Sequence, residues 1–298
     1  MPERDMIFNK RIGRSDVETW LEIPECFADR RNQMDHQSFR RFVNLTDDIL
    51  LYMTVLDEQP IGGTILFRAR DRLGLALLGV RMRGEYIQNL LLSTIKASLP
   101  FFRTASIRDV DAIVSSETNP QLPFPRNLFL NPALGSALDE IGFEKVEDVL
   151  SIRFENIGFA DVQMQDTVKR EMSEDIRSFV WKSVGRTMVD CSHTWLSLLR
   201  ASSDGELHAI LGANGVVAVL GLEEYAKGLI VPVIGYEPES IAPLTLASAL
   251  AYEVDRRKTQ WLEIRLIGEE DREVVDSLKG VLCAEPIKTR HSLMRLRI

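Results

Sequence analysis

The chain of 298 residues is short of several things that would narrow its function at once. Cysteine occurs three times, at Cys26, Cys191 and Cys283, an odd number set far apart. That spacing excludes a disulfide framework. With no signal-peptide pattern at the start of the chain, it sets a reduced, cytoplasmic setting as the expectation. The four histidines have no partner at metal-ligand spacing, so no metal is expected. No apolar run reaches the ~20 residues that cross a bilayer, and no membrane partner is expected. Nor is there an excess of positive charge. Residues 1–156 carry 19 basic and 23 acidic side chains and residues 157–298 carry 17 and 21, so each half contributes −4 to a net charge of −8. Bulk electrostatics give no reason to expect a nucleic-acid partner.

What is present is ordinary for a folded protein: 45% apolar and 27% charged residues, at a length that suits two domains. The most informative stretch is residues 73–102. An apolar run punctuated by glycine, residues 73–80, reads as a strand buried on both faces. It is followed by Arg81-Met82-Arg83-Gly84-Glu85, and then by Ile87, Leu90, Leu91, Ile95 and Leu99 at helical spacing. A basic turn leading into a helix N-terminus can hold a phosphate, because the first N–H groups of a helix lack partners within it. Residues 50–56 and 61–68 read as strands before this stretch. Residues 110–115 (strand), 132–141 (helix), Gly142-Phe143 and 149–155 (strand) follow it.

This order resembles the GNAT superfamily of N-acyltransferases. The residues that carry the resemblance are Val80, Arg83-Gly84, Leu90-Leu91 and Ile141-Gly142-Phe143. Tyr86 and Gln88 stand where the family's turn carries glycines. The resemblance implies an acyl group moved from acetyl-CoA or another acyl-CoA, as substrate, to the amine of a small molecule or protein. It implies cofactor contacts at Val80, Arg81, Arg83, Gly84, Glu85, Tyr86, Ile87 and Gln88.

The second half repeats the order. A helix over 173–189 with Ser173 as its cap precedes strands at 206–211 and 216–222, joined by an Asn-Gly turn. A buried strand at 228–235, a helix at 241–255 capped by Ser240, a strand at 261–267, a helix at 272–282 and a strand at 292–298 complete it. The ends correspond too, Ser151-Ile152-Arg153-Phe154 beside Leu293-Met294-Arg295-Leu296. The fold expected is therefore α/β, with two tandem GNAT-like domains, each a central mixed sheet flanked by helices. The expected boundaries are 1–156 for the candidate acyl-CoA-binding half, 157–170 for a linker and 171–298 for a second, degenerate half.

Acyl transfer to an amine needs a base, an oxyanion donor and an acid for the leaving thiolate. In the resembled family the donor is often a strand N–H, the base a strand Glu and the acid a Tyr before Gly-Phe. Leu138 occupies that Tyr position here, and strand 73–80 has no carboxylate. Glu117, at the end of strand 110–115, is the remaining candidate base, and Tyr86 or Tyr52 the remaining hydroxyl. Arg68, Arg70 and Arg72 share one face of an extended segment, either as a solvated hairpin tip or as a second anion site beside Arg81 and Arg83. Phe27, Phe39 and Phe42 face either the core or an acceptor pocket. The apolar residues of loop 116–130 (Leu122, Phe124, Leu128, Phe129) are expected to fold over a surface rather than stay in water.

In the second half the turn reads Gly235-Tyr236-Glu237-Pro238-Glu239-Ser240, acidic where phosphate would lie. Two other readings stay open. One is a catalytically inactive GNAT-like protein used for ligand binding or assembly. The other is an aminoacyl-tRNA-dependent transferase, against which the absence of a broad basic surface counts.

Overall fold

Alternating and continuous apolar runs become strands, and the 3.6-period stripes between them become helices. The computed structural model describes residues 7–24, 36–70, 74–99, 107–117, 122–183 and 191–297. In the first half these are β1 (Ile7–Ile12), α1 (Val17–Leu21), α2 (His36–Val43), β2 (Ile49–Leu56), β3 (Gln59–Ala69), β4 (Gly74–Met82), α3 (Ile87–Ser98), β5 (Asp109–Val114), α4 (Gly135–Ile141) and β6 (Glu144–Glu155). The second half contributes β7 (Val168–Lys169), α5 (Glu174–Ser183), α6 (Ser192–Ser203), β8 (Leu207–Gly212), β9 (Gly215–Tyr225), β10 (Gly228–Tyr236), α7 (Pro243–Arg257), β11 (Trp261–Ile267), α8 (Arg272–Val281) and β12 (Pro286–Arg297). Cys26, Phe27 and Arg72 lie outside the described residues.

The chain divides into two compact units. Unit 1 holds residues 1–147 and 191–193, and also 292–298 from the far end of the chain. Its strand order is β1-β2-β3-β4-β5-β12. The pairs are antiparallel except β4 with β5, which is parallel. One face is covered by α3 and α4, where Leu91, Ile95 and Leu138 pack against Leu50, Leu66, Leu77 and Val110. On β3, Gly63 is required by the side chain above it. A Cβ there would stand 2.7 Å from Nε1 of Trp20 and 2.4 Å from the carbonyl oxygen of Tyr52. Trp20, on α1, donates that Nε1–H to the same carbonyl at 3.2 Å and stacks on Phe39 with ring centroids 5.2 Å apart.

Unit 2 holds residues 148–190 and 194–291, with strand order β6-β11-β10-β9-β8-β7. Its single parallel pair is β10 with β11. Helices α7 and α8 bury Leu246, Leu250, Val254, Val275 and Leu278 against Leu220, Leu229, Val231 and Ile264. Ser173 caps α5, its hydroxyl accepting the N–H of Ile176 at 3.4 Å. Helix α7 differs from the expectation. It starts at Pro243 with Ala242 as cap, because proline is preorganised for the first helical position. The Ser240 hydroxyl instead donates to Glu237.

Each unit is thus a mixed sheet flanked by helices, and each takes its last strand from the other half of the sequence. β12 lies antiparallel to β5 with Arg295 opposite Asp111, and β6 lies antiparallel to β11 with Arg153 opposite Glu263. Counting from Gly74 on β4 and Gly228 on β10, the two arginine–carboxylate pairs occupy equivalent places. Asp111, almost fully buried, accepts Nε of Arg295 at 2.6 Å and the N–H of Ser192 at 3.2 Å. Burial pushes its pKa up while Arg295 pulls it down. Glu263 accepts Nε of Arg265 at 2.7 Å and lies 3.6 Å from Arg153 Nη1.

Candidate active site

The parallel partners β4 and β5 stay paired over only three positions, ending at Ala76 opposite Asp111. Beyond that point Leu78 is an extra residue in β4. Ile65 pairs with Gly79 and Leu66 with Leu77, so Leu78 has no partner on β3. A bulge increases the local twist and turns a strand away from its neighbour. Gly79 follows it, where a Cβ would come within 2.9 Å of Ile65 Cγ2. The result is a wedge-shaped gap between the C-terminal ends of β4 and β5.

Hydrogen bonding identifies which β4 groups face that gap. The N–H of Arg83 donates to Ile61 on the β3 side at 2.8 Å. Alternate residues point to opposite edges, so the N–H groups of Val80 and Met82 point toward β5. That of Met82 is taken by the Pro24 carbonyl at 3.1 Å, which leaves Val80 N–H facing the gap. A backbone N–H held by a sheet at this place can stabilise an oxyanion.

The loop after β5 enters the same gap. Leu130 N–H donates to Ile113 O at 2.7 Å, and Ser115 N–H donates to Leu130 O at 2.8 Å. β12 occupies the other edge of β5 as far as Val114, so Leu130 stands on the β4 side. Upstream, Leu122 and Leu128 are buried, and Phe124 lies over Gly79 and meets Phe42 edge-on at 5.5 Å. As expected, the loop folds over a surface. That surface is the cluster of Phe39 and Phe42, which are core residues at 0% and 4% exposure rather than the lining of an open pocket.

At the end of β4 the turn separates the two expected arginines. Arg81 still belongs to the strand and is buried. Its Nη1 donates to the carbonyls of Leu21 and Ile23 at 2.8 and 2.6 Å, capping the end of α1, and its guanidinium lies over Trp20. Arg83 lies past the strand, where Gly84, Glu85 and Tyr86 form one turn of 3-10 helix before Ile87 and Gln88 open α3. A side chain built on Gly84 would meet no described atom within 4 Å, so the outside of the turn is open. Within the turn Tyr86 N–H donates to Arg83 O at 2.9 Å and Ile87 N–H to Gly84 O, so a pyrophosphate there would meet the Arg83 side chain and the N–H groups of Gly84 and Glu85.

Tyr86 and Glu117 stand beyond the ends of β4 and β5, on the same edge of the sheet and on either side of the gap. Glu117 N–H donates to the Ser115 hydroxyl at 3.0 Å. Tyr52 lies two strands away on β2, packed in the core, where burial raises its pKa. The idea of Arg68 and Arg70 as a second anion site beside Arg81 and Arg83 is corrected. Both donate to Asp48, at 2.8 and 2.6 Å, and they sit at the opposite end of β4 from the turn.

In unit 2 the same frame ends differently. β10 and β11 are paired only as far as Val231 opposite Ile264, and β10 carries one extra residue within Val231–Pro232. The turn that follows is bonded much as the first is, Ser240 and Ile241 donating to Glu237 O at 2.9 and 3.1 Å, but it carries Glu237, Pro238 and Glu239 where the first carries Arg83 and Gly84. Across the mouth of that gap Tyr236 donates its hydroxyl to Asp271 at 2.8 Å. Asp271 is buried and also accepts Gly268 N–H, and burial raises its pKa to about 6. Sequence reasoning missed this pair, because a Tyr and an Asp 35 residues apart carry no local signal.

Solved structures share this architecture. A GCN5-related N-acetyltransferase from Sphaerobacter thermophilus aligns over 100% of this chain and 96% of its own, with a TM-score of 0.59 and 14% identity. A tandem GNAT protein from the clavulanic acid biosynthesis pathway aligns over 98% of each chain, with a TM-score of 0.60 and 9% identity. A GCN5-related N-acetyltransferase from Kribbella flavida aligns over 97% of this chain and 71% of its own, at 0.59 and 13%. No protein-family model and no curated relative matches the chain. The fold is therefore that of the GCN5-related N-acetyltransferases, and these neighbours span both units of the chain. Among the described residues no cluster of His, Cys, Asp and Glu could hold a metal, and no helix is long and apolar enough to cross a membrane.

Proposed function

We propose that unit 1 is an N-acyltransferase that moves an acyl group from acetyl-CoA or another acyl-CoA to an amine. The observation that carries this reading is the gap opened by the Leu78 bulge, with Val80 N–H facing it and the Arg83–Gly84 turn at its mouth. In this reading Arg83 and the N–H groups of Gly84, Glu85 and Gln88 hold the pyrophosphate, those of Tyr86 and Ile87 being donated to Arg83 O and Gly84 O within the turn. Val80 N–H polarises the thioester carbonyl and receives the charge that develops on its oxygen. Glu117 takes the proton of the attacking amine, and the Tyr86 hydroxyl gives one to the departing thiolate, so the C–N bond forms as the C–S bond breaks. Arg81 does not touch the donor here. It holds the end of α1 against β4.

A second reading, a non-catalytic binding or assembly module, is favoured by one feature: Leu130 and Phe124 of the protein's own loop already stand against the gap. Calorimetric titration with coenzyme A, followed by thiol-release assays with acyl-CoA and a panel of amines, separates the two. Binding with thiol release supports transfer. Binding without release from any acceptor supports the module, and no binding at millimolar ligand removes the acyl-CoA site altogether.

A further inference from the structure

Gly79 leaves β4 without a side chain at the position next to Val80, on the face away from α3 and α4. A Cβ built there meets Ile65 Cγ2 and, at 3.9 Å, Cε2 of Phe124, and none of these three residues belongs to the core under α3 and α4. Phe124 stands instead on the α2 side, its ring centroid 5.8 Å from that of Phe39 and 5.5 Å from that of Phe42. Phe39 in turn stacks on Trp20 of α1. The space in front of Gly79 is thus bounded by a ring that is itself backed by further rings.

That wall is fixed in place. Phe124 lies in a turn closed by the N–H groups of Arg126 and Asn127, which both donate to Pro123 O, at 2.9 and 3.1 Å. Downstream, the Asn127 side chain accepts Phe129 N–H at 3.2 Å, and Leu130 is bonded to β5 through both its N–H and its carbonyl. A ring held by such a turn, with buried aromatic neighbours behind it, yields only by small shifts.

We propose that Phe124, backed by Phe39 and Phe42, ends the acyl pocket of unit 1, so that the donor is acetyl-CoA and longer acyl chains are excluded. The proposal rests on the reading of unit 1 as an acyltransferase. The Arg83 turn opens α3, so a donor held there reaches the gap from the α3 face. With its carbonyl oxygen on Val80 N–H, the acyl chain continues away from the thiol, toward the opposite face. That is the face on which Gly79 has no side chain and Phe124 stands. A methyl group is accommodated against the backbone of Gly79, and a longer chain runs into the ring.

The test is calorimetric titration of the full chain with coenzyme A, acetyl-CoA and hexanoyl-CoA. Hexanoyl-CoA should bind about tenfold more weakly than acetyl-CoA, or worse, since even one methylene too many is discriminated to this degree in a closed apolar pocket. Phe124→Ala should bring the two affinities within about threefold of each other, and Phe124→Leu, which keeps an apolar side chain in place, should narrow the difference partway. The readout is the ratio between two donors in one protein sample, which a loss of stability alone leaves unchanged. Equal affinity for the two donors in the unaltered protein, or a ratio unchanged in both variants, would overturn the assignment while leaving the donor site standing. The donor site itself fails only when coenzyme A does not bind at millimolar ligand, and this proposal then falls with it.

Discussion

Removing Arg295 tests whether the exchanged final strand is held by its buried ion pair. The Asp111 side chain is 4% exposed and has two partners, Arg295 Nε at 2.6 Å and Ser192 N–H at 3.2 Å. Arg295→Ala leaves that carboxylate buried with one neutral donor. Breaking a buried pair from one side costs about 3–5 kcal/mol, because the surviving charge has neither water nor counter-ion. In a unit of this size that is a loss of roughly 6 to 20 °C in melting temperature. The cost should depend on pH. Burial already raises the Asp111 pKa, and without Arg295 the carboxyl can escape by taking a proton, so the defect should be largest near neutral pH and shrink in acid. Adding Asp111→Asn should recover much of the loss at neutral pH, since the amide oxygen can still accept Ser192 N–H. Differential scanning calorimetry of the two single variants and the double variant gives the coupling directly. Arg290→Ala is the control, because its contact with Asp148 is 3.9 Å and its side chain is 66% exposed. If Arg295→Ala shifts the transition no more than Arg290→Ala, or Asp111→Asn recovers nothing, the pair does not hold the strand.

The remaining predictions concern the two turns. Arg83→Ala should weaken coenzyme A roughly ten- to a hundredfold by calorimetry with an unchanged melting temperature, the value of one charge-assisted phosphate contact. Arg81→Ala should do the reverse, lowering thermal stability through the lost carbonyl contacts of Leu21 and Ile23. Stoichiometry should be at most one coenzyme A per chain; two equivalent sites would refute the asymmetry between a basic turn and an acidic one that carries Pro238. Asp271 supplies a pH signature. Its folded pKa of about 6 exceeds its ordinary value of 3.8, so its contribution is fully present below about pH 4 and is lost as pH rises through about 6. That loss is ~3 kcal/mol, and Asp271→Asn should flatten the stability profile between pH 4 and 7 by this amount. An equally steep profile in the variant would assign the pH dependence to other groups.

The element order was legible because glycine-bounded apolar runs and helical stripes are local signals, and both halves carried them in the same sequence. The partners of the last strands were not. Residues 149–155 and 292–297 share one pattern, an arginine among alternating apolar residues, so either can sit beside either buried carboxylate. Nothing within a strand says which neighbour it will find. The two arginines of the first turn were misread for a simpler reason. The strand was expected to stop at Val80, and it runs to Met82, which puts Arg81 inside the fold and leaves only Arg83 beyond it. Arg68 and Arg70 were grouped with them by charge, although a full strand length separates the two ends of β4.

The two units show how one frame can be kept while its chemistry changes. Both have a parallel pair that parts after three or four positions, and both have an extra residue on the inner strand just beyond. Counting from Gly74 and Gly228, Pro232 stands where Leu78 stands and Tyr236 where Met82 stands. A proline in a central strand is tolerated at a bulge, where no ladder bond is lost, but it removes a donor from the edge of the gap. The tyrosine adds a hydroxyl that ties the gap's mouth to Asp271, and a buried carboxylate beneath an acidic turn opposes phosphate electrostatically. Pro232 falls in the bulge and Tyr236 at the strand end, and β10 stays paired with β9 as far as Tyr236. The same sheet therefore stands in unit 2 with an acidic, proline-bearing turn at the end of its gap in place of a basic one.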